Sequence, residues 1–165
     1  MTGEVADGLV CHVFTSERYL RGTTLPAVAE GAETAGRSLA DIEVSLPVTV
    51  VTGRDEQERD AVAAAARSQI AFYGSTPAYR GVLDAHGWGE LHEQLHAASV
   101  RGEWDRMADM VDDEVVAAFT VVAEPERVGL AVRERFGDIV DRVSLATAYT
   151  FSESEWARVA ADLRG

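Results

Sequence analysis

The stretch from Ile42 to Thr52, Ile-Glu-Val-Ser-Leu-Pro-Val-Thr-Val-Val-Thr, constrains this chain more than any other. Ile42, Val44 and Leu46 alternate with Glu43 and Ser45, the two-residue period of a strand. From Val48 to Val51 the run is almost wholly apolar, which predicts a strand covered on both faces. Pro47 has no amide to give to a ladder, so a bulge or an unpaired position is expected there. A strand of this kind requires partners along both edges.

Two further segments can supply them. Leu9 to Phe14 follows the turn residues Ala6-Asp7-Gly8, and Val140 to Ala148 follows Gly137. The intervening sequence has helical spacing. Leu25, Val28 and Ala32 precede Gly36 at a C-cap position. Asp55 to Phe72 is alanine-rich behind an acidic first turn, and Ser152 with Glu155 forms a capping-box pair ahead of Trp156 and Val159. Between about 70 and 120 lies a helical excursion jointed at Gly87, Gly89 and Gly102. Strands alternating with helices predict an α/β fold with about three parallel strands joined by helical crossovers. The outer strands of so small a sheet present bare edges.

At 165 residues the expected organisation is one domain spanning 1–165. A formal net charge of -13, with no basic stripe, excludes the usual nucleic-acid and anionic-membrane partners. No run approaches the roughly 18 apolar residues of a membrane span. The single cysteine, Cys11, rules out an intrachain disulfide and fits a reducing compartment, so the expected location is cytoplasmic. Cys11 itself reads as packing.

Gly3-Glu4-Val5-Ala6-Asp7-Gly8 ahead of a short apolar strand resembles a recurrent segment of the luciferase-like monooxygenase family. Ala35-Gly36-Arg37-Ser38 with Asp41-Ile42 resembles that family's junction between helix end and strand. Phe72-Tyr73-Gly74-Ser75-Thr76-Pro77-Ala78-Tyr79-Arg80 is similar to a branch of flavin- or deazaflavin-dependent members, and Asp112-Asp113-Glu114-Val115 and Val140-Asp141-Arg142-Val143 continue the order. The resemblance implies a (β/α)8 TIM-type barrel of about twice this length. It makes the present residues the barrel's C-terminal half, with strands six to eight and a helical insertion. Barrel-interior side chains from the Val44 to Val51 region are then expected to lie bare in a lone chain. The resemblance also implies an oxidoreductase or monooxygenase working with FMN or the deazaflavin coenzyme F420 on a small organic substrate. The chain then acts with a separate N-terminal half or as a homo-oligomer, or serves as a non-catalytic half-barrel. Ala123-Glu124-Pro125 departs from the Gly-Thr-Pro of many members and puts a carboxylate near a helix start that would otherwise suit an anion.

In such barrels the chemistry lies at the C-terminal ends of the strands. That placement makes His12 the expected catalytic residue, since imidazole both donates and accepts near neutral pH, with Thr15 beside it on the cofactor. Tyr73, Ser75, Thr76, Tyr79 and Arg80 are the other expected cofactor contacts. Their segment opens a helix with free amides, Arg80 adds a planar fork for an anion, and the tyrosines suit an aromatic ring. Thr147, with Tyr149 nearby, is a candidate of the same sort at the end of the last strand. A plain helix corner capped by Ser75 or Thr76, and a core-packed His12, are the structural alternatives.

No resident metal is expected, but one motif points elsewhere. His92-Glu93-Gln94-Leu95-His96 matches His-Glu-x-x-His, whose spacing puts two imidazoles on one helix face with Glu93 as general base. Glu114 is the available third ligand for a zinc hydrolase. Against this, Leu91, Leu95 and Ala98 already form an apolar stripe of their own, and no third histidine follows at a ligand spacing.

Overall fold

The structure is a computed structural model describing residues 1–165. A first turn of helix, α1 (Thr2–Val5), leads into β1 (Gly8–Val10). Then α2 (Glu17–Tyr19) passes through a π-helical turn, Leu20–Thr24, into α3 (Leu25–Thr34). The central strand β2 (Glu43–Val51) feeds the long α4 (Glu56–Gly74). The excursion follows as α5 (Arg80–Asp84), α6 (Gly89–Val100), α7 (Trp104–Met107) and α8 (Asp113–Phe119). The chain closes with β3 (Thr120–Val122), α9 (Val128–Phe136), β4 (Arg142–Ala146) and α10 (Glu153–Arg164). No helix is long and apolar enough to cross a membrane.

All strands are parallel, and every one of them pairs with β2. The Glu43 amide donates to the Asp7 carbonyl and the Cys11 amide to the Ser45 carbonyl, so the odd-numbered groups of β2 face β1. The Asp141 amide donates to the Val44 carbonyl, which turns the even-numbered groups toward β4. The Ala123 amide reaches the Val51 carbonyl, another odd position, so β3 shares β1's side of β2 and sits above it. β1 pairs through Ser45 and β3 begins at Thr49, which leaves Pro47 opposite neither. In this register residue 47 would be the next donor to β1; a proline cannot supply that bond, and the strand ends.

The strands differ from the sequence expectations in three places, the first of them explained by Pro47. The Leu9–Phe14 segment is strand only to Val10, and its remainder swings out as a loop. The sheet has a fourth strand, Thr120–Val122, whose three residues are too short to show a period. The last strand, expected over Val140–Ala148, runs from Arg142 to Ala146.

Side chains of β2 divide by parity. Ile42, Val44, Leu46, Val48 and Val50 are all buried. From Val44 onward they join one core with Leu25 of α3, Val62 and Ala66 of α4, Val128 and Val132 of α9, and Val159 of α10. On the other face Glu43 is exposed and Ser45 and Pro47 are half-buried, and only Thr49 and Val51 at the top are covered. The expected exposure of barrel-interior side chains from the Val44–Val51 region fails at Thr49 and Val51, which are buried on the face turned away from the even positions, and the even positions themselves point into the helices. The bare face is instead Val10, Glu43, Ser45, Arg142 and Ser144, with Glu43 and Arg142 paired at 2.8 Å.

A second core belongs to the excursion. Phe14, Ile70, Leu83, Leu95, Met107, Val115 and Phe119 pack together there. Its C-terminal helix is pinned by Arg135 of α9, whose guanidinium donates to the carbonyls of Ala117, Ala118 and Thr120. Three orphan acceptors of a helix end are met by one side chain. Helix starts follow the capping logic of the sequence: Asp55 accepts from the Glu58 amide, Asp112 from Val115, and Ser152 and Glu155 form the expected reciprocal box. Gly36, after α3, takes the left-handed φ of 71° that its position calls for.

Candidate functional site

The loop leaving β1 carries Cys11 to Ser16 toward the excursion. Cys11 is buried, and burial pushes its thiol pKa up, so it is a packing residue with a protonated sulfur. His12 is exposed. Its ring stacks on Tyr79 with centroids 4.6 Å apart and meets the edge of Tyr73 at 4.8 Å. His12 Nε2 lies 3.1 Å from Tyr79 Oη. Tyr73 comes from the last turn of α4 and Tyr79 from the 3-10 turn Pro77–Tyr79, so three separate segments converge on one aromatic corner.

Phe14 anchors this corner. It is 2% exposed, contacts Tyr73 and Tyr79 at 5.9 and 5.8 Å, and stacks on Phe119 at 4.4 Å. Next to Phe119, His86 stacks on Trp88 at 4.2 Å, and His86 Nε2 reaches the buried Ser16 hydroxyl at 2.7 Å. Burial, then the charge of Arg18, lowers the pKa of His86. The end of β1 is thus fastened to the excursion by aromatic contacts and a serine–histidine bond. Ser16 also caps α2, accepting from the Tyr19 amide, but its link to His86 joins residues 70 apart and leaves no local trace in the sequence.

The other expected contacts divide. Thr15 is half-buried in the same loop as His12. Ser75 is buried and donates back to the Phe72 carbonyl at 2.7 Å, and Thr76 leans on that same carbonyl at 3.5 Å. These hydroxyls finish α4 instead of facing outward. Arg80 is held by two carboxylates, Asp84 and Glu93. Its fork is occupied, and the short 3-10 turn ahead of it offers no bank of free amides. Thr147 lies across β2, where its hydroxyl accepts from the Tyr149 amide and lines a cleft of about 300 Å³ with Thr49, Val62, Gln69 and Ala146. Tyr149 is structural: it is buried and donates to Glu155 at 2.7 Å. Glu124 pairs with Arg59 at 3.3 Å. The largest groove, about 650 Å³ between α9, β4 and α10, includes none of these residues.

The His-Glu-x-x-His helix is also accounted for. His92 Nδ1 donates to the Gly74 carbonyl at 2.8 Å and His96 Nδ1 to the Ser75 carbonyl at 3.0 Å, so the pair closes the C-terminal end of α4. Their rings are nearly parallel with centroids 5.9 Å apart. Each ring has its Nδ1 committed to a carbonyl, and no group of three or more histidine, cysteine or acidic side chains is gathered there to hold a metal ion. Glu93 is turned to Arg80, and Glu114 lies near His86. The motif's spacing serves a helix cap here.

A sequence profile of the luciferase-like monooxygenase family matches residues 1–142. The chain belongs to the luciferase-like monooxygenase family. An uncharacterized protein of Mycobacterium tuberculosis and one of Mycobacterium bovis are 49% identical to it over 143 residues, 87% of this chain and 42% of theirs. A 5,10-methylenetetrahydromethanopterin reductase of Methanopyrus kandleri is 30% identical over 129 residues, 76% of this chain and 35% of that one. The solved structure of a coenzyme F420 dependent tetrahydromethanopterin reductase from Methanopyrus kandleri superposes with a TM-score of 0.68 at 24% identity. That match covers 98% of this chain and 45% of the other, so the present α/β fold corresponds to a portion of that luciferase-like fold. The chain spans less than half the length of the curated relatives it matches.

Proposed function

We propose that this chain is the C-terminal half-barrel of a flavin- or deazaflavin-dependent oxidoreductase, with His12, Tyr73 and Tyr79 meeting the cofactor ring. The observation that carries the reading is the convergence of those three rings at the C-terminal end of β1, the end at which such barrels place their chemistry. FMN and deazaflavin coenzyme F420 are the cofactors in view, and the substrate is a small organic molecule. A bound flavin or deazaflavin supplies hydride chemistry; the protein's share is to orient the ring and exclude water.

The residues present fit a ring and not a phosphate. The exposed His12 ring and the half-buried rings of Tyr73 and Tyr79 suit a flat heteroaromatic. The cationic fork of Arg80, expected from sequence to hold the anionic arm, is tied to Asp84 and Glu93. An anionic arm therefore needs residues from outside this chain. The bare sheet face and the outer edges of β1 and β4 support the same conclusion, because a parallel sheet with one face uncovered asks for more strands. On this reading a separately encoded N-terminal half, or a second copy of the chain, completes the barrel. Self-repulsion at a net charge of -13 per chain favours the separate half.

Titration of F420 and of FMN, followed by absorbance and fluorescence, tests this. Binding that appears only when an N-terminal half is added is the expected result. Failure of both cofactors with and without that half overturns the proposal.

A further inference from the structure

The protons at the aromatic corner are fixed by one backbone bond. The Phe14 amide donates to His12 Nδ1 at 3.1 Å. A nitrogen that accepts from an N–H carries no hydrogen, so the neutral His12 ring bears its proton on Nε2. That hydrogen meets Tyr79 Oη, 3.1 Å away, and the phenol oxygen accepts it. The phenol O–H then has no acceptor within the protein. The opposite arrangement, with Tyr79 donating to Nε2, requires a hydrogen on Nδ1 and sets it against the Phe14 amide.

We infer that Tyr79, not His12, is the hydrogen-bond donor to the bound ring, its O–H meeting a ring carbonyl oxygen, while His12 is a positioning residue. His12 acts through Tyr79 in three ways: its Nε2–H occupies one phenol lone pair, its ring face stacks on the phenol, and Tyr73 braces both at right angles. This deepens the cofactor reading above and rests on it. It also alters the role expected of His12, which keeps its proton through binding and transfers none. The ligand class is a planar heteroaromatic with an exposed carbonyl acceptor, as both flavins and deazaflavins have.

Lumiflavin, the flavin ring without a phosphate arm, is the probe, and the readouts are imidazole ¹⁵N spectra and ring fluorescence. In the free chain the His12 spectrum is that of an Nε2–H tautomer, in contrast with the Nδ1–H tautomers of His92 and His96. Tyr79→Phe weakens lumiflavin binding about three- to tenfold without altering the His12 tautomer. His12→Gln places an amide nitrogen near the Nε2 position and retains most of the affinity, whereas His12→Asn does not reach Tyr79 and behaves as Tyr79→Phe does. An Nδ1–H tautomer at His12, or equal binding by wild type and Tyr79→Phe, overturns this inference alone. Absence of lumiflavin binding by the wild type, with and without an N-terminal half, overturns it together with the cofactor reading.

Discussion

Pro47 lies opposite Ser144 in the β2–β4 ladder, while its nitrogen faces the gap between β1 and β3. The one residue of β2 unable to donate stands where no acceptor is paired with it. Pro47→Ala therefore breaks no existing backbone bond, and its cost comes from a freer unfolded chain, about 0.4–1 kcal/mol. Leu46→Ala next to it empties a site 1% exposed and costs about 2–5 kcal/mol. Urea unfolding of the two variants measures the contrast; equal losses would show that the proline is structurally required.

Gly129 is where α9 and α10 touch. A Cβ there would stand 2.7 Å from the Asp162 Cβ and 2.8 Å from the Val159 carbonyl oxygen. Gly129→Ala must push the helices apart, with an expected loss of about 1–3 kcal/mol, or about 2–4 °C in Tm for each kcal/mol. At Gly22 an added methyl would meet nothing within 4 Å, so Gly22→Ala serves as the control and leaves Tm unchanged or slightly raised. Thermal melts of both decide it.

His92 and His96 serve as caps, and metal chemistry does not explain their spacing. Protein purified without a histidine tag is expected to hold no stoichiometric zinc, and a chelator leaves its Tm unchanged. His92→Ala strands the buried Gly74 carbonyl and costs about 1–3 kcal/mol. His96→Ala, at a half-buried site, costs less. Zinc found at one equivalent, with a Tm that falls on chelation, would reverse the assignment.

Glu155 and Tyr149, bonded to each other at the start of the last helix, titrate at opposite ends of the pH range. Glu155 is held down to about 2, from an ordinary 4.5, first by the Ser152 amide and then by the Tyr149 hydroxyl. A carboxylate with a depressed folded pKa gives stability that is complete above 4.5 and lost as pH falls toward 2. Tyr149 is pushed up to about 12 from 10, by burial and then by Glu155, so its contribution is complete below pH 10 and lost between 10 and 12. Melting temperature against pH is expected to slope at both ends. Glu155→Gln should flatten the acid limb, and a variant with an unchanged acid slope would remove Glu155 from the account.

Local chemistry made much of this fold legible. The parity of Ile42 to Leu46, the acidic start of α4, Gly36 and the Ser152–Glu155 box each rest on neighbours within a few residues, and each is found in the structure. What stayed hidden depends on contacts between distant segments. No local pattern announces that Arg80 is spent on Glu93, that Arg135 closes α8, or that Phe14 stacks on Phe119. His12, Tyr73 and Tyr79 were legible as candidates by type and position, but their meeting was not. The His-Glu-x-x-His spacing shows the limit from the other side, since two imidazoles on one helix face suit carbonyl oxygens as well as they suit a metal.

Because β2 is the partner of every other strand, this sheet is assembled over a long span of chain. Val44 meets Asp141 across 97 residues. At a synthesis rate of about 5–20 residues per second, β2 waits roughly 5–20 seconds between its own emergence and that of β4. Through that interval its β4 edge is open backbone beside Val44, Leu46 and Val48, and contacts so far apart in sequence are slow to close even afterward. The hub that organises the finished sheet is, on the ribosome, a strand with β1 along one edge and nothing along the other.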